Sequence, residues 1–359
     1  MRRLVRTAAT ITVLATVLLG CSDEQIVTAP PTSPSPTPAP SLPTSPSLLR
    51  YVSPTGNNHN PGTLDRPWRT LAFAFHRLYV KQVLLVRGGT YHEQIDHLRL
   101  HPGTPESPIT VRAYPGENPV LVGTVSLNRP TDWLIDDLDV TGNPKAGKQP
   151  PFMVKVIGGR DWTWQNSEFT NTLGLANVMI TGWGREEPAR FTFTGNCLHD
   201  LSRSPKSSTN LFLGAMGLGA SGTVSRNVVF NHDGRPNVRI GSGAGSPTRL
   251  RLVRNTIYGG SLGIDVRGRP HRVKIYRNVV GGSRAPAMIR FHRGRPSGTS
   301  VSNNVAVDAN QLFRPEVRKN VHGYGNIVLP GDPDFVDTSR CDGFRSGLDA
   351  TIPYGAFAS

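Results

Sequence analysis

The chain lacks most of what builds helical enzymes and disulfide scaffolds. Its 359 residues include three cysteines (Cys21, Cys197 and Cys341), too few for a disulfide framework. Charged residues reach only 18%, and the composition is poor in the Ala, Leu, Glu and Lys that favour helices. Acid is scarcer than base: 25 Asp and Glu stand against 40 Lys and Arg, a formal net charge of +15. Such a surface suits an acidic partner, whether nucleic acid, anionic membrane or acidic polysaccharide. The leading apolar run, Thr7 to Leu19, is too short to span a bilayer. In place of helix formers there are 38 Gly and 31 Pro, which point to a turn-rich chain.

Arg2, Arg3 and Arg6 precede that run, and Leu18-Leu19-Gly20-Cys21 ends it, the layout of an export signal. The LLGC end resembles the lipobox of bacterial lipoproteins, which implies cleavage before Cys21 and lipidation of its thiol. Residues 1–20 are therefore expected to be a signal peptide. Residues 21–48 follow as the lipidated Cys and a Pro/Ser/Thr-rich tether, too poor in apolar residues to bury a core and kept extended by proline. Residues 49–359 form the remaining domain. Export removes nucleic acid as a natural partner and leaves an acidic polysaccharide or cell-wall glycan, met by a monomer held to the membrane through its lipid alone.

The domain carries an internal repeat. Alternating apolar residues lead to a pivot, and one further apolar residue follows two positions later. Trp133, Ile135, Leu138, Val140 is one instance; Trp162, Trp164, Ser167, Phe169 and Phe191, Phe193, Asn196, Leu198 are the next two. The pivots fall at 138, 167, 196, 227, 255, 278 and 304, spaced 23 to 31 residues apart, and the last five are Asn. Period-two alternation means short strands with one face buried. Asn suits the left-handed conformation of a sharp turn, and its amide can bond the Asn of the next coil in an internal ladder. The spacing fits one turn of a three-strand coil, and a coil that cannot bury its apolar face alone must stack. Propeller repeats run longer, at roughly 40–50 residues, and a sandwich would not repeat a polar pivot. The expected fold is all-β: a right-handed parallel β-helix of about seven or more coils. Leu71, Phe75 and Leu78 at helical spacing predict a short N-terminal capping helix over 68–79.

The opening TyrValSerProThrGly (51–56), the Arg87-Gly88-Gly89-Thr90-Tyr91 segment, Ile109-Thr110-Val111 with Ala113 to Glu117, the Asn pivots and the closing Asp332 to Asp337 together resemble the right-handed parallel β-helix proteins of the pectate-lyase-like superfamily. The resemblance spans roughly residues 50–355. It implies that fold and a carbohydrate-active protein, in a superfamily of polysaccharide lyases, glycoside hydrolases, uronan epimerases and members without known activity. The signature of no single branch stands out, and no acidic cluster of the kind that holds calcium in the lyases is visible.

Triplets 11–16 residues before the pivots give the first strand of each coil, with the central residue pointing outward. The resulting column is Lys155, Met179, Ala215, Arg239, Asp265, Arg290; the next outward column holds Ile157, Thr181, Gly217, Gly241, Arg267 and His292. In related enzymes the groove over this sheet binds polysaccharide. An arginine fork fits a uronate carboxylate, and β-elimination needs that carboxylate neutralised and a base nearby. Arg239, His232, Asp233 and Asp265 are thus the catalytic candidates, the two loop residues expected to overhang the column. Lys155, Arg235, Arg267, Arg290, His292 and Trp183 are the substrate-binding candidates. An Arg-Asp-Arg ladder that merely solubilises an exposed sheet would have the same pattern.

Asp139 and Glu168 follow successive pivots and should stack, as a weak candidate for Ca²⁺ or as a hydrolytic carboxylate pair; no cofactor is firmly implied. Cys197 and Cys341, far apart in sequence, are expected to be free thiols. Two functions remain open: an extracytoplasmic enzyme acting on an acidic polysaccharide, lyase-like by β-elimination, or a non-catalytic surface protein that binds glycan or cell wall. The Lys and Arg of residues 226–295 suit polyanion binding under either.

Overall fold

A computed structural model describes residues 48–143, 151–182, 187–201, 208–214, 216–217, 219–232, 234–241, 249–283, 285, 287–292, 296–313, 321–329, 331, 335–344 and 354–357. The leader and tether, Cys21 included, lie outside the described residues, as do Trp183, Ala215 and Asp233.

The fold is the parallel β-helix the repeats predict. Every ladder between named strands is parallel, and strands of one coil pair with those of the next rather than with each other. Among the described residues the second sheet stacks eleven strands, from Leu49–Val52 to Val321–Tyr324. The first sheet runs from Phe152–Ile157 to Ile289–Phe291, the third from Asp139–Thr141 to Ile327–Leu329. These two join through the strand Pro119–Asn128, whose early part pairs with Asp139–Thr141 and late part with Phe152–Ile157. The junction needs Gly123, at φ +155, because a Cβ there would run into the Glu93 carbonyl oxygen.

Inward residues of the second sheet fill the rod: Trp133, Trp164, Phe191, Phe193, Val224, Leu252 and Ile275 are all at most 2% exposed. Burying each such side chain contributes roughly 1.5–3 kcal/mol. Aromatic rings stack between coils, with Trp162 over Phe191 at 5.0 Å. The pivot ladder is continuous. Ser167 Oγ accepts from Leu138 N, and Asn196, Asn227, Asn255, Asn278 and Asn304 each bond the coil before through Oδ1. Asn326 extends it by one coil beyond the expected last pivot.

The turn differs from expectation in one respect. The left-handed residue is the one before the pivot, at φ 50–66 in Asn166, Gly195, Arg226, Arg254, Arg277, Asn303 and Gly325. The pivot amide is thereby freed to point inward and bond along the stack. A second buried ladder, Asn177–Asn210–Asn237, closes the opposite turn, with Asn177 Nδ2 2.8 Å from Asn210 Oδ1 and Asn210 Nδ2 3.0 Å from Asn237 Oδ1. Each of these asparagines directly precedes an inward residue: Val178, Leu211 and Val238.

The capping helix is shorter than its pattern, Leu71–Arg77, with Thr70 as N-cap. Leu71, Ala74 and Phe75 close the core, and Phe75 lies 5.9 Å from the Trp133 ring. Glu93 accepts from Leu71 N and Ala72 N, so a carboxylate from the neighbouring strand completes the N-terminus.

The two downstream cysteines are not free. Cys197 and Cys341 form a disulfide across 144 residues, with Cα atoms 5.9 Å apart. The segment around Cys341 folds back over the outer face of the third sheet, where Phe344 packs 5.0 Å from Phe230 and Phe335 5.3 Å from Tyr258. Cys197 follows its pivot on that same face, and the fold-back brings together thiols that sequence distance separated.

Candidate functional site

The first sheet sets the expected residues in line, with one substitution. In register, Lys155 is followed by Met179, Phe212, Arg239, Asp265 and Arg290. Phe212 takes the place expected of Ala215, and Gly214 rather than Gly217 lies level with Thr181. The strand in this coil is Thr209–Gly214, whose Leu211 and Leu213 point inward and leave Phe212 outside. The change matters because the Arg239 guanidinium then sits 5.6 Å from the Phe212 ring centre, a cation–π contact.

Asp265 is the hub. Its side chain has no exposed surface although it points to the outer face. Its Oδ2 is 2.8 Å from Arg267 Nε and 3.9 Å from Arg239 Nε; its Oδ1 is 3.2 Å from Arg290 Nε and 2.7 Å from His292 Nε2. Burial alone would raise its pKa, but the hydrogen bond from Arg290 and the charges of Arg267 and Arg290 outweigh burial and hold it below the usual carboxylate range. Burial depresses Arg239 instead, helped by Arg267 and Arg290 and opposed by Asp265. Three guanidiniums on one carboxylate leave an excess of positive charge. Arg267 and Arg290 carry it at the surface, with side chains 39% and 51% exposed, and His292 beside them is 41% exposed.

His292 acquires a definite orientation here. With Nε2 on Asp265, its Nδ1 has no hydrogen-bond partner among the described residues. A carboxylate that fixes one ring nitrogen and leaves the other open makes a positioned base.

The other candidates fall elsewhere. His232 does not overhang the column: its Nε2 bonds Thr338 O at 2.9 Å and its ring lies against Phe230, on the side where the C-terminal segment packs. The fold-back that forms the disulfide also claims this histidine. Arg235 lies in the turn before the strand Pro236–Ile240, and its carbonyl accepts from Asn231 Nδ2 and Ser261 N. Lys155 lies three strands from Arg239, about 14 Å along the stack; burial lowers its pKa.

Asp139 and Glu168 stack on the third sheet, each already engaged. Asp139 Oδ1 accepts from Glu168 N at 2.8 Å, and Glu168 Oε1 lies 2.8 Å from His199 Nε2. Among the described residues the pair alone offers fewer oxygens than the six to eight of a Ca²⁺ shell, and on the first sheet Asp265 is enclosed by cations. Sulfur atoms of Cys197 and Cys341 lie near a His199 nitrogen, but those sulfurs are bonded to each other.

Burial raises the Asp139 pKa to about 6, with Glu168 N opposing and the Glu168 charge reinforcing. A carboxyl raised on folding holds its proton in the native state after the unfolded chain has released it. Stability therefore falls as pH rises from the unfolded pKa, near 3.8, through about 6. Asp139→Asn keeps the acceptor for Glu168 N. It should flatten that slope and raise the unfolding free energy at pH 7 by about 1–2 kcal/mol. Urea titrations of both proteins at pH 4.5 and 7 test this; a mutant with the parent's pH slope would exclude Asp139 as its source.

No known protein-family model matches the chain. The uncharacterized protein YwoF of Bacillus subtilis (strain 168) is 45% identical over 73 residues, 20% of this chain and 15% of YwoF. Pectate lyase PEL9 of Emericella nidulans is 32% identical over 82 residues, 23% of this chain and 20% of that enzyme. The matched stretches thus span a fifth or less of these relatives. Among solved structures, the pectate lyase Pel9A aligns with a TM-score of 0.50 at 16% identity, over 87% of this chain and 86% of that one. A glycoside hydrolase aligns with a TM-score of 0.51 at 10% identity, over 84% and 99%. What the chain has in common with these two structures is its architecture, the parallel β-helix.

Proposed function

We propose that this is an extracytoplasmic, carbohydrate-active protein that binds an acidic polysaccharide over the first sheet and cleaves it by β-elimination. The observation that carries the reading is the cluster around Asp265, which joins surplus guanidinium charge to an oriented imidazole on one exposed face. The named activities of PEL9 and Pel9A lend support. In this reading Arg290 and Arg267 hold the uronate carboxylate, and their charge favours the carbanion-like state at the adjacent carbon. His292 Nδ1 takes the proton from C5, in place of the catalytic candidates His232 and Arg239 named from the sequence. The C5–H electrons form the C4–C5 double bond, the C4–O4 bond breaks, and the departing oxygen takes a proton from water. Asp265 stabilises the imidazolium until it returns its proton to solvent. The test is incubation of the soluble domain with polygalacturonate and alginate, following absorbance of the unsaturated product. Binding without product would leave the glycan-binding role and remove the enzyme.

The cellular setting rests on the leader. If Cys21 carries the lipid, Cys21→Ser should move the protein from the membrane fraction to the soluble one. A mutant that sediments with membranes as fully as the parent would end the lipoprotein reading.

A further inference from the structure

The second sheet carries a different charge pattern over its central coils, the strands Gly222–Ser225, Leu250–Val253 and Lys274–Tyr276. Arg251 and Lys274 point outward side by side. Before the strands, Arg249 and Arg272 occupy left-handed positions at φ 51 and 54; after them, Arg226, Arg254 and Arg277 do so at φ 53 to 55. The equivalent positions in other coils hold residues that suit this conformation, Asp132, Asp161 and Gly298 before the strand and Asn166, Gly195 and Asn303 after it, apart from Arg190 at φ 52, which is paired with Asp161. Arginine brings the turn nothing that Asn or Gly would not supply at lower conformational cost. Five arginines at such positions in three neighbouring coils therefore call for a reason outside the turn.

That reason is not an internal ion pair. Arg190, one coil earlier, pairs with Asp161, but the five turn arginines, Arg251 and Lys274 have no acidic partner among the described residues. The crowding registers on Arg254, whose pKa is lowered by burial first and then by Arg226 and Arg277. The face is also concave. A cavity of about 410 Å³ opens on it, bordered by Arg249, Arg251, Arg272 and Lys274.

We propose that this second-sheet face is a separate, non-catalytic binding surface for a linear acidic polysaccharide. Its cations form rows along the stack, Arg249–Arg272, Arg251–Lys274 and Arg226–Arg254–Arg277, each repeating at about 4.8 Å per coil. Parallel rows suit a chain with a negative group on each unit better than a single small anion. Six of the seven cations are guanidiniums, which take carboxylates bidentately. Among the described residues these coils expose no large apolar side chain of the kind that would enter a membrane. The inference rests on the carbohydrate reading for its class of ligand, but not on the first-sheet chemistry. Two faces on one polymer would raise retention through effective concentration.

The test uses Arg254→Asn and Arg277→Asn, which suit the left-handed turn and should keep or raise the melting temperature, combined with Arg251→Ser and Lys274→Ser. Polygalacturonate binding by affinity electrophoresis should weaken at least tenfold. Added salt should narrow that gap, and turnover of a short oligouronate that reaches only the first sheet should stay unchanged. A fourfold variant that binds polygalacturonate like the parent overturns the inference, whatever Arg290→Ala does. It is also overturned if the parent ignores polygalacturonate but binds polyphosphate or phosphatidylglycerol vesicles through these residues. If the parent binds polygalacturonate through this face yet yields no unsaturated product, the inference stands and the lyase reading fails.

Discussion

Asn255→Leu should lower the unfolding free energy by about 3–5 kcal/mol and the melting temperature by roughly 10 °C. Asn255 lies mid-ladder, 1% exposed. Its Oδ1 accepts from both the backbone N and the Nδ2 of Asn227; its Nδ2 donates to Asn278 Oδ1 and to Val224 O. Leucine has a similar volume but removes every one of these bonds and leaves donors and acceptors in a dry interior. Each stranded group costs about 1–3 kcal/mol. Asn255→Ser should lose about half as much, because Ser167 already serves in the ladder, with Oγ accepting from Leu138 N. Thermal melts followed by circular dichroism decide it: a leucine variant melting with the parent would show that the ladder contributes little.

Asp265→Asn should reduce turnover at least 100-fold while the rod stays folded. The amide keeps the shape, but it removes the charge that His292, Arg239, Arg267 and Arg290 share. Neighbouring variants should separate the roles. His292→Ala should abolish product formation yet retain polyuronate binding. Arg290→Ala should weaken binding about tenfold, an effect that shrinks as salt rises. Arg340→Ala, beside Asp342 and remote from the cluster, should do neither. If Arg290→Ala and Arg340→Ala bind alike, the first-sheet charge is only a solubilising face. If His292→Ala turns over at the parent's rate, the imidazole is not the base.

The architecture was legible because the pivots impose one side-chain chemistry at one place per coil. Asn196, Asn227, Asn255, Asn278 and Asn304 fix the register of the second and third sheets unaided. The first sheet was harder to read. Loops of unequal length precede its strands, so spacing from the pivot slid by several residues and put Ala215 where Phe212 stands. The Asn177–Asn210–Asn237 ladder would have corrected that slip, since each Asn adjoins the first inward residue of its strand. The members of the cluster were found by alternation, but its centre was not: period two says that Asp265 points outward, not that three arginines and a histidine cover it. The disulfide and the displacement of His232 depend on a chain fold-back across the third sheet, which no local pattern encodes.

That same bridge determines how the rod would bear load. Coils of a solenoid touch only their neighbours and could peel away one at a time from an end. The Cys197–Cys341 bond, at a sequence separation of 144, closes the chain between into a covalent loop. A pull applied to the chain on either side of the bridge passes through the sulfurs and bypasses everything between them. About 500 Å of contour length is withheld from extension while the bond is intact. Both cationic faces described above lie largely inside that loop. A polymer dragging on the protein could unravel the earlier coils before it pulled apart the chain that grips it.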